Sequence, residues 1–104
     1  MIIGSGFIAK NFKKKKLLIK KYRIVIYASG VSNSQSINEK KFLRERRKIL
    51  SYKNKINSKL FVYISTCSIF DPSRKNTAYT KHKLNMENLI KKNFNKFVIV
   101  RFPE

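Results

Sequence analysis

The sequence predicts an α/β protein: a short parallel sheet flanked by helices, in the order β-α-β-α-β-α-β. Three observations carry that reading. Runs such as Ile24-Val25-Ile26 and Phe61-Val62-Tyr63-Ile64 are β-branched and aromatic, nearly unbroken by polar residues, as strands covered on both faces are. Between these runs, apolar residues recur at helical spacing. The chain has 104 residues, one small domain by the usual prior of about 100–200 residues per domain.

Met1-Ile2-Ile3 is a short first strand, followed by the tight turn Gly4-Ser5-Gly6. Phe7, Ile8 and Phe12, with Leu17 and Leu18 further on, predict one helix to about Lys21, with Lys13–Lys16 on its wet side. Arg23–Ala28 is the second strand, and Ser29–Ser34 reads as a loop. Ser36-Ile37-Asn38-Glu39 fits a capping box, Ser36 as N-cap and Glu39 reaching back. Phe42, Leu43, Ile49 and Leu50 then form the apolar stripe of a helix to about Tyr52. Leu60–Ser65 is the third strand, and Asp71–Asn76 is a loop by its turn residues. Tyr79 to about Lys92 is a helix anchored by Leu84, Leu89 and Ile90. Phe97–Arg101 is the last strand, and Pro103 stops it. Phe12, Phe42, Phe61 and Phe94 fall at core positions, and there is no internal repeat or low-complexity linker.

The charge is lopsided: 25 Lys and Arg against 5 Asp and Glu, a formal net charge of +20. Such a surface attracts anions, whether nucleic acid, acidic membrane or phosphorylated small molecules. A plainer explanation stands beside it. The chain is rich in Lys, Asn and Ile and poor in Trp, Gly and Pro, so many lysines merely face water. No apolar run approaches the roughly 20 residues that span a bilayer, so no membrane partner is expected. The N-terminus lacks the pattern of a secretory signal. The single cysteine, Cys67, excludes an intrachain disulfide and a cysteine-rich zinc site, and implies a reducing, cytoplasmic location. Cys67 reads as a packing residue, and the lone His82 as a surface or packing residue rather than a metal ligand.

Three motifs carry chemistry. Ile3-Gly4-Ser5-Gly6-Phe7-Ile8-Ala9 follows an apolar run and opens a helix, the context of a dinucleotide fingerprint. Gly4 permits the turn, Gly6 lets a pyrophosphate approach the backbone, and small Ala9 lets helix and strand pack closely. Tyr79-Thr80-Lys81-His82-Lys83 places a tyrosine and a lysine four residues apart, on one helix face. An ammonium beside a phenol favours the phenolate, which suits acid/base work near neutral pH. Ser65 and Thr66 lie at a strand's C-terminal end, the edge that faces the ligand crevice in open parallel sheets.

The conjunction is more specific than its parts. Thr66 precedes Tyr79 by thirteen residues, and glycine turn, strand-end hydroxyls and Tyr-x-x-x-Lys come in one order. In this the sequence resembles the short-chain dehydrogenase/reductase superfamily. It is most similar to the extended branch of NAD(P)-dependent nucleotide-sugar epimerases and dehydratases. Phe61–Phe70, Tyr79–Glu87 and Val98–Pro103 resemble that branch's Ser-Thr strand end, catalytic helix and following strand. The resemblance implies a Rossmann-like three-layer fold, NAD or NADP as cofactor, and a nucleotide-sugar substrate. It implies Tyr79 as the acid/base residue, with Lys83 lowering its pKa and holding the nicotinamide ribose. Thr66 would orient the substrate, with Ser65 as the alternative register. Gly4, Ser5, Gly6, Phe7, Ile8 and Ala9 would form the pyrophosphate turn, and Ala28-Ser29-Gly30 would lie along the cofactor. A homodimer is implied in the same way.

The chain departs from that pattern in three places. There is room for only one strand between the first helix and Ala28, where the family places further strand-helix units. No Asp or Glu precedes Glu39, so the acidic ribose ligand is missing and NAD versus NADP stays open. The sequence ends at Glu104, without the family's substrate-binding portion, so a truncated or reduced and inactive member stands beside the active enzyme. The alternative from another class is a basic nucleic-acid-binding or structural module. Against it, aromatic and basic residues are not interleaved in any RNA- or DNA-reading pattern.

Overall fold

The computed structural model of the chain describes residues 1–30, 37–56 and 59–103. Four strands form one all-parallel sheet in the order β1-β2-β3-β4: β1 (Ile2–Ile3), β2 (Ile24–Tyr27), β3 (Leu60–Thr66) and β4 (Phe97–Phe102). The helices are α1 (Phe7–Lys13), α2 (Lys16–Lys21), α3 (Glu39–Ser51) and α4 (Ala78–Asn93), and a 3₁₀ turn spans Cys67–Phe70. The α/β class and the parallel sheet are those the sequence predicts.

The strand period of two divides the sheet into two unlike faces. One face carries Ile3, Val25, Tyr27, Phe61 and Tyr63, which join Ile49 of α3 and Met86, Leu89 and Ile90 of α4, with Ile56 and Phe94, in one core. Phe61 and Phe94 stack there with centroids 4.4 Å apart. Helices α1 and α2 contribute nothing to that core. Ile19 of α2 instead lines a cavity with Ile2, on the opposite face, and buried Ile26 shares that face by register. The first helical pair and the last two helices therefore lie on opposite sides of the sheet.

This arrangement has a topological consequence. Strands β1, β2 and β3 step the same way across the sheet, yet the β1–β2 and β2–β3 connections cross opposite faces. The two crossovers thus have opposite hands, although parallel crossovers are right-handed in about 98% of cases. The chains leaving β1 and β2 part to opposite faces. In doubly wound sheets, chains that part to opposite faces at neighbouring strand ends flank the ligand crevice.

Several sequence expectations need correction. The first helix is two, broken at Lys14-Lys15, where Lys13–Lys16 puts like charges three residues apart on one helical surface. Of its distal apolar residues only Ile19 is buried; Leu17 and Leu18 face solvent. The second strand starts at Ile24, because Arg23 takes a left-handed φ of 55° that closes α2. The N-cap of α3 is Asn38, whose Oδ1 accepts from the N–H groups of Lys40 and Lys41; Ser36 lies outside the described residues. Leu43 and Leu84 are exposed, so Met86, Leu89 and Ile90 anchor α4. Phe12 and Phe42 are only half-buried.

Candidate functional site

The site builds outward from the C-terminal ends of β1 and β2. Gly4 adopts φ +123°, which L side chains rarely take, and a Cβ there would stand 2.6 Å from the Ala28 carbonyl oxygen. The exit turn of β1 therefore packs directly on the exit of β2. Gly6 is the N-cap of α1 and has open space where a Cβ would point. Phe7 and Ile8 open that helix, and Ala9 is fully buried in it. On the β2 side, Ser29 Oγ accepts a hydrogen bond from Lys48 Nζ at 2.8 Å. Gly30 has a different reason to be glycine: a Cβ there would overlap Glu45 Oε2 and stand 2.6 Å from Lys83 Nζ. The turn 28–30 thus touches the Gly4 turn at one end and a buried ion pair at the other.

Helix α4 supplies the other wall. Thr77 caps it, accepting from the Thr80 N–H and donating to Thr80 Oγ1. Tyr79 and Lys83, one turn apart, are both buried. The Lys83 ammonium lies 5.8 Å from the centroid of the Tyr79 ring, so the structure brings this predicted pair together. The same ammonium donates to the hydroxyl of Tyr63 at 3.2 Å, a contact that the Tyr-x-x-x-Lys spacing does not foretell.

Glu45 is the hub of this cluster. Its Oε2 accepts from the Tyr63 hydroxyl at 3.0 Å and lies 3.6 Å from Lys83 Nζ. Its Oε1 meets His82 Nε2 at 2.5 Å. Burial raises the Glu45 carboxyl, but the His82 hydrogen bond, the Lys83 charge and the Tyr63 hydrogen bond outweigh it, and the group sits below the usual carboxylate range. An ionised carboxylate only accepts, so His82 Nε2 carries the proton between them. The Tyr63 phenol moves the other way. Burial, then the charge and hydrogen bond of Glu45, hold it far above its ordinary value, so it stays protonated and donates. His82 stacks on Phe42 at 4.2 Å and lines a groove between α3 and α4.

The strand-end hydroxyls have local partners. Ser65 Oγ donates to Glu87 Oε2 at 2.7 Å, within the packing of β3 on α4. Thr66 Oγ1 accepts from the Ser68 N–H at 3.1 Å and so caps the 3₁₀ turn. Cys67 Sγ donates to the Arg101 carbonyl, a packing role as the sequence suggests.

Sequence reasoning missed Glu45, Tyr63 and His82 as one unit. A signal for Glu45 is present. Phe42, Glu45 and Ile49 fall at i, i+3 and i+7, so the carboxylate occupies the buried stripe of α3. Only five acidic residues occur in the chain, counting 5 Asp and Glu together, which makes one inside a core stripe conspicuous. His82 is a buried packing residue, one of the two roles the sequence allows, and adds a hydrogen bond to Glu45. Among the described residues no cluster of His, Cys, Asp or Glu could hold a metal ion, and no helix is long and apolar enough to cross a membrane.

No protein-family profile, curated protein or solved structure matches this chain.

Proposed function

We propose that this is an NAD(P)-dependent epimerase- or dehydratase-like protein acting on a nucleotide sugar, built on a Rossmann-like sheet. One observation carries the reading. The turn Ala28–Gly30 lies against the Gly4 turn on one side and against the Lys83 ammonium on the other. The glycine turn and the lysine of the Tyr-x-x-x-Lys helix are thus brought to the two sides of one short turn.

The residues fit a dinucleotide in part. Gly4 takes a left-handed turn packed on Ala28, and Gly6, the N-cap of α1, has open space where a Cβ would point, the space a pyrophosphate would need. Lys83 supplies a cation beside the turn 28–30, and a ribose hydroxyl would share it with Tyr63 and Glu45. The residues before Glu39 offer no carboxylate for the adenosine ribose. A bound nicotinamide would supply a reversible hydride acceptor for the substrate carbinol carbon.

The chain's own residues handle the proton. As the carbinol carbon becomes a ketone, its hydroxyl proton passes to the Tyr79 oxygen in the phenolate form. Lys83 stabilises that phenolate by its positive charge. Thr66 stands at the strand end that faces the crevice and orients the substrate. Ser65 is the alternative register; Glu87 holds its hydroxyl, as Ser68 holds that of Thr66.

Calorimetric titration with NAD(H) and NADP(H) tests the cofactor. Binding at or below millimolar concentration supports the reading, and no binding of either nucleotide there removes it. With a nucleotide sugar that the protein turns over, Tyr79→Phe is expected to abolish turnover and leave cofactor affinity within about twofold. Undiminished turnover in Tyr79→Phe removes Tyr79 from the mechanism.

A further inference from the structure

We infer that Glu45 is a positioning residue: it keeps the buried Lys83 ammonium charged and aimed at the crevice, while His82 and Tyr63 hold Glu45 in place. The inference deepens the proposed function and rests on it for the purpose of the lysine, though not for the pairing itself.

The argument starts from burial. Lys83 is only 3% exposed. An ammonium taken out of water without a counter-charge tends to lose its proton, and a neutral amine could not stabilise a phenolate. Glu45 Oε2, 3.6 Å from Lys83 Nζ, supplies the counter-charge from a different helix. Glu45 is itself fixed from three sides. Tyr63 donates from β3, His82 donates from α4, and Lys83 faces it from the next position along α4. Tyr63 also accepts from Lys83, so carboxylate, phenol and ammonium close a triangle. Titratable groups facing Lys83 are thus Glu45 of α3, Tyr63 of β3 and Tyr79 of its own helix, with His82 one contact further.

Two features separate this from an ordinary structural ion pair. A buried ion pair is weak evidence of stabilisation, because desolvation offsets most of its attraction. The pair also lies against the turn 28–30: a Cβ on Gly30 would strike Glu45 Oε2 and Lys83 Nζ unless they shifted. Anything that enters beside residues 28–30 meets this pair.

The test is nuclear magnetic resonance of the lysine ammonium groups in the ¹⁵N-labelled protein. The Lys83 signal is assigned by its absence in Lys83→Met. A buried, hydrogen-bonded ammonium is expected to give a resolved Lys83 signal at pH 7 in the wild type. Glu45→Gln, which keeps the side chain's shape and loses its charge, is expected to lose that signal. Glu87→Gln, which removes an equally buried carboxylate from the helix that carries Lys83, is expected to keep it. A signal that survives Glu45→Gln, or vanishes equally in both variants, overturns the inference.

Should Glu45→Gln fail to fold, the wild type decides the matter. On acidification, the Lys83 nitrogen shift must change in step with the Glu45 carboxyl carbon; a flat Lys83 shift overturns the pairing. Nucleotide titration then separates the two ideas. Glu45→Gln is expected to weaken NAD(H) or NADP(H) binding about tenfold, as loss of one charge-assisted hydrogen bond would. If neither nucleotide binds even the wild type, the enzymatic reading falls, while the Lys83 signal still decides the role of Glu45. Wild-type-like nucleotide affinity in Glu45→Gln overturns the claim that Glu45 aims Lys83 at the crevice.

Discussion

Two carboxylates lie inside this protein, Glu45 on α3 and Glu87 on α4, and they are held in opposite styles. Glu87 receives a two-point fork from Arg101, Nε to Oε2 at 3.1 Å and Nη2 to Oε1 at 2.6 Å, plus the Ser65 hydroxyl. A guanidinium fork is rigid and permanently charged, so it serves as a fixed tie between β4 and α4. Glu45 receives a phenol, an imidazole and the point charge of a lysine. None of these partners makes a two-point fork, and the lysine is a point charge on a flexible stem. The difference points to the cluster around Glu45, not the one locked by arginine, as the place to look for chemistry.

The largest expected effect breaks the fixed tie. Arg101→Ala leaves the Glu87 carboxylate buried without its cation. Breaking a fully buried pair from one side typically costs about 3–5 kcal/mol, and the 32% exposure of the Arg101 side chain brings this one toward the lower end. Urea unfolding should show a loss of that order, and a loss below about 1 kcal/mol would mean that Glu87 is not a structural charge.

Gly30→Ala strikes the other cluster. The added methyl would collide with Glu45 and Lys83, both enclosed, and overpacking of this kind costs about 1–3 kcal/mol. A thermal melt measures that loss. The same variant should weaken nucleotide binding, because relief of the clash displaces Lys83 from the crevice wall. A Gly30→Ala protein as stable as the wild type would show that the pair can swing away, and the contrast with the rigid tie would then be sharper still.

Ser65→Ala distinguishes the two clusters at lower cost. Its hydroxyl gives Glu87 one of its hydrogen bonds, and losing that bond should cost about 1 kcal/mol of stability by urea unfolding. Nucleotide affinity should not change. A selective loss of turnover with unchanged stability would instead return Ser65 to the catalytic role that the sequence suggests as an alternative.

These contrasts also show what a sequence can reveal. The strands are legible because β-branched runs have one physical use at this length. Gly4 is legible because few residues other than glycine tolerate its turn. Tyr79 and Lys83 are legible because their spacing alone puts them on one face of α4. The Glu45 cluster is not, because it joins α3, β3 and α4 across 37 residues of chain from Glu45 to His82, and no local pattern encodes such a meeting. Ser36 fits a cap by standing three residues before Glu39; Asn38, next to the helix, is the cap, as an Asx side chain can be. The hand of the first crossover is illegible too, since apolar spacing does not say which face of the sheet a helix will cover.

The smallest effect is also the most selective, and it lies in the pH dependence of stability. The Glu45 carboxyl sits below its ordinary value in the folded protein, as the net of burial opposed by His82, Lys83 and Tyr63. Because these causes oppose one another, the resulting slope is gentler than that of breaking either pair outright. The sign follows from linkage. A carboxyl whose folded pKa is depressed binds protons more readily in the unfolded chain. Its contribution is therefore complete above the unfolded value of about 4.3 and is lost as pH falls through the folded one. Asp71 is depressed as well, by its hydrogen bonds to Ser73, so the wild-type curve alone mixes the two groups. The difference between wild type and Glu45→Gln isolates Glu45. Urea unfolding measured at steps below about pH 5 should show the wild type losing stability faster than Glu45→Gln on acidification. Parallel curves for the two proteins would mean that Glu45 is protonated alike in the folded and unfolded chains. In that case the partners of Glu45 would only offset the cost of its burial, and its contrast with the arginine tie of Glu87 would rest on geometry rather than net stabilisation.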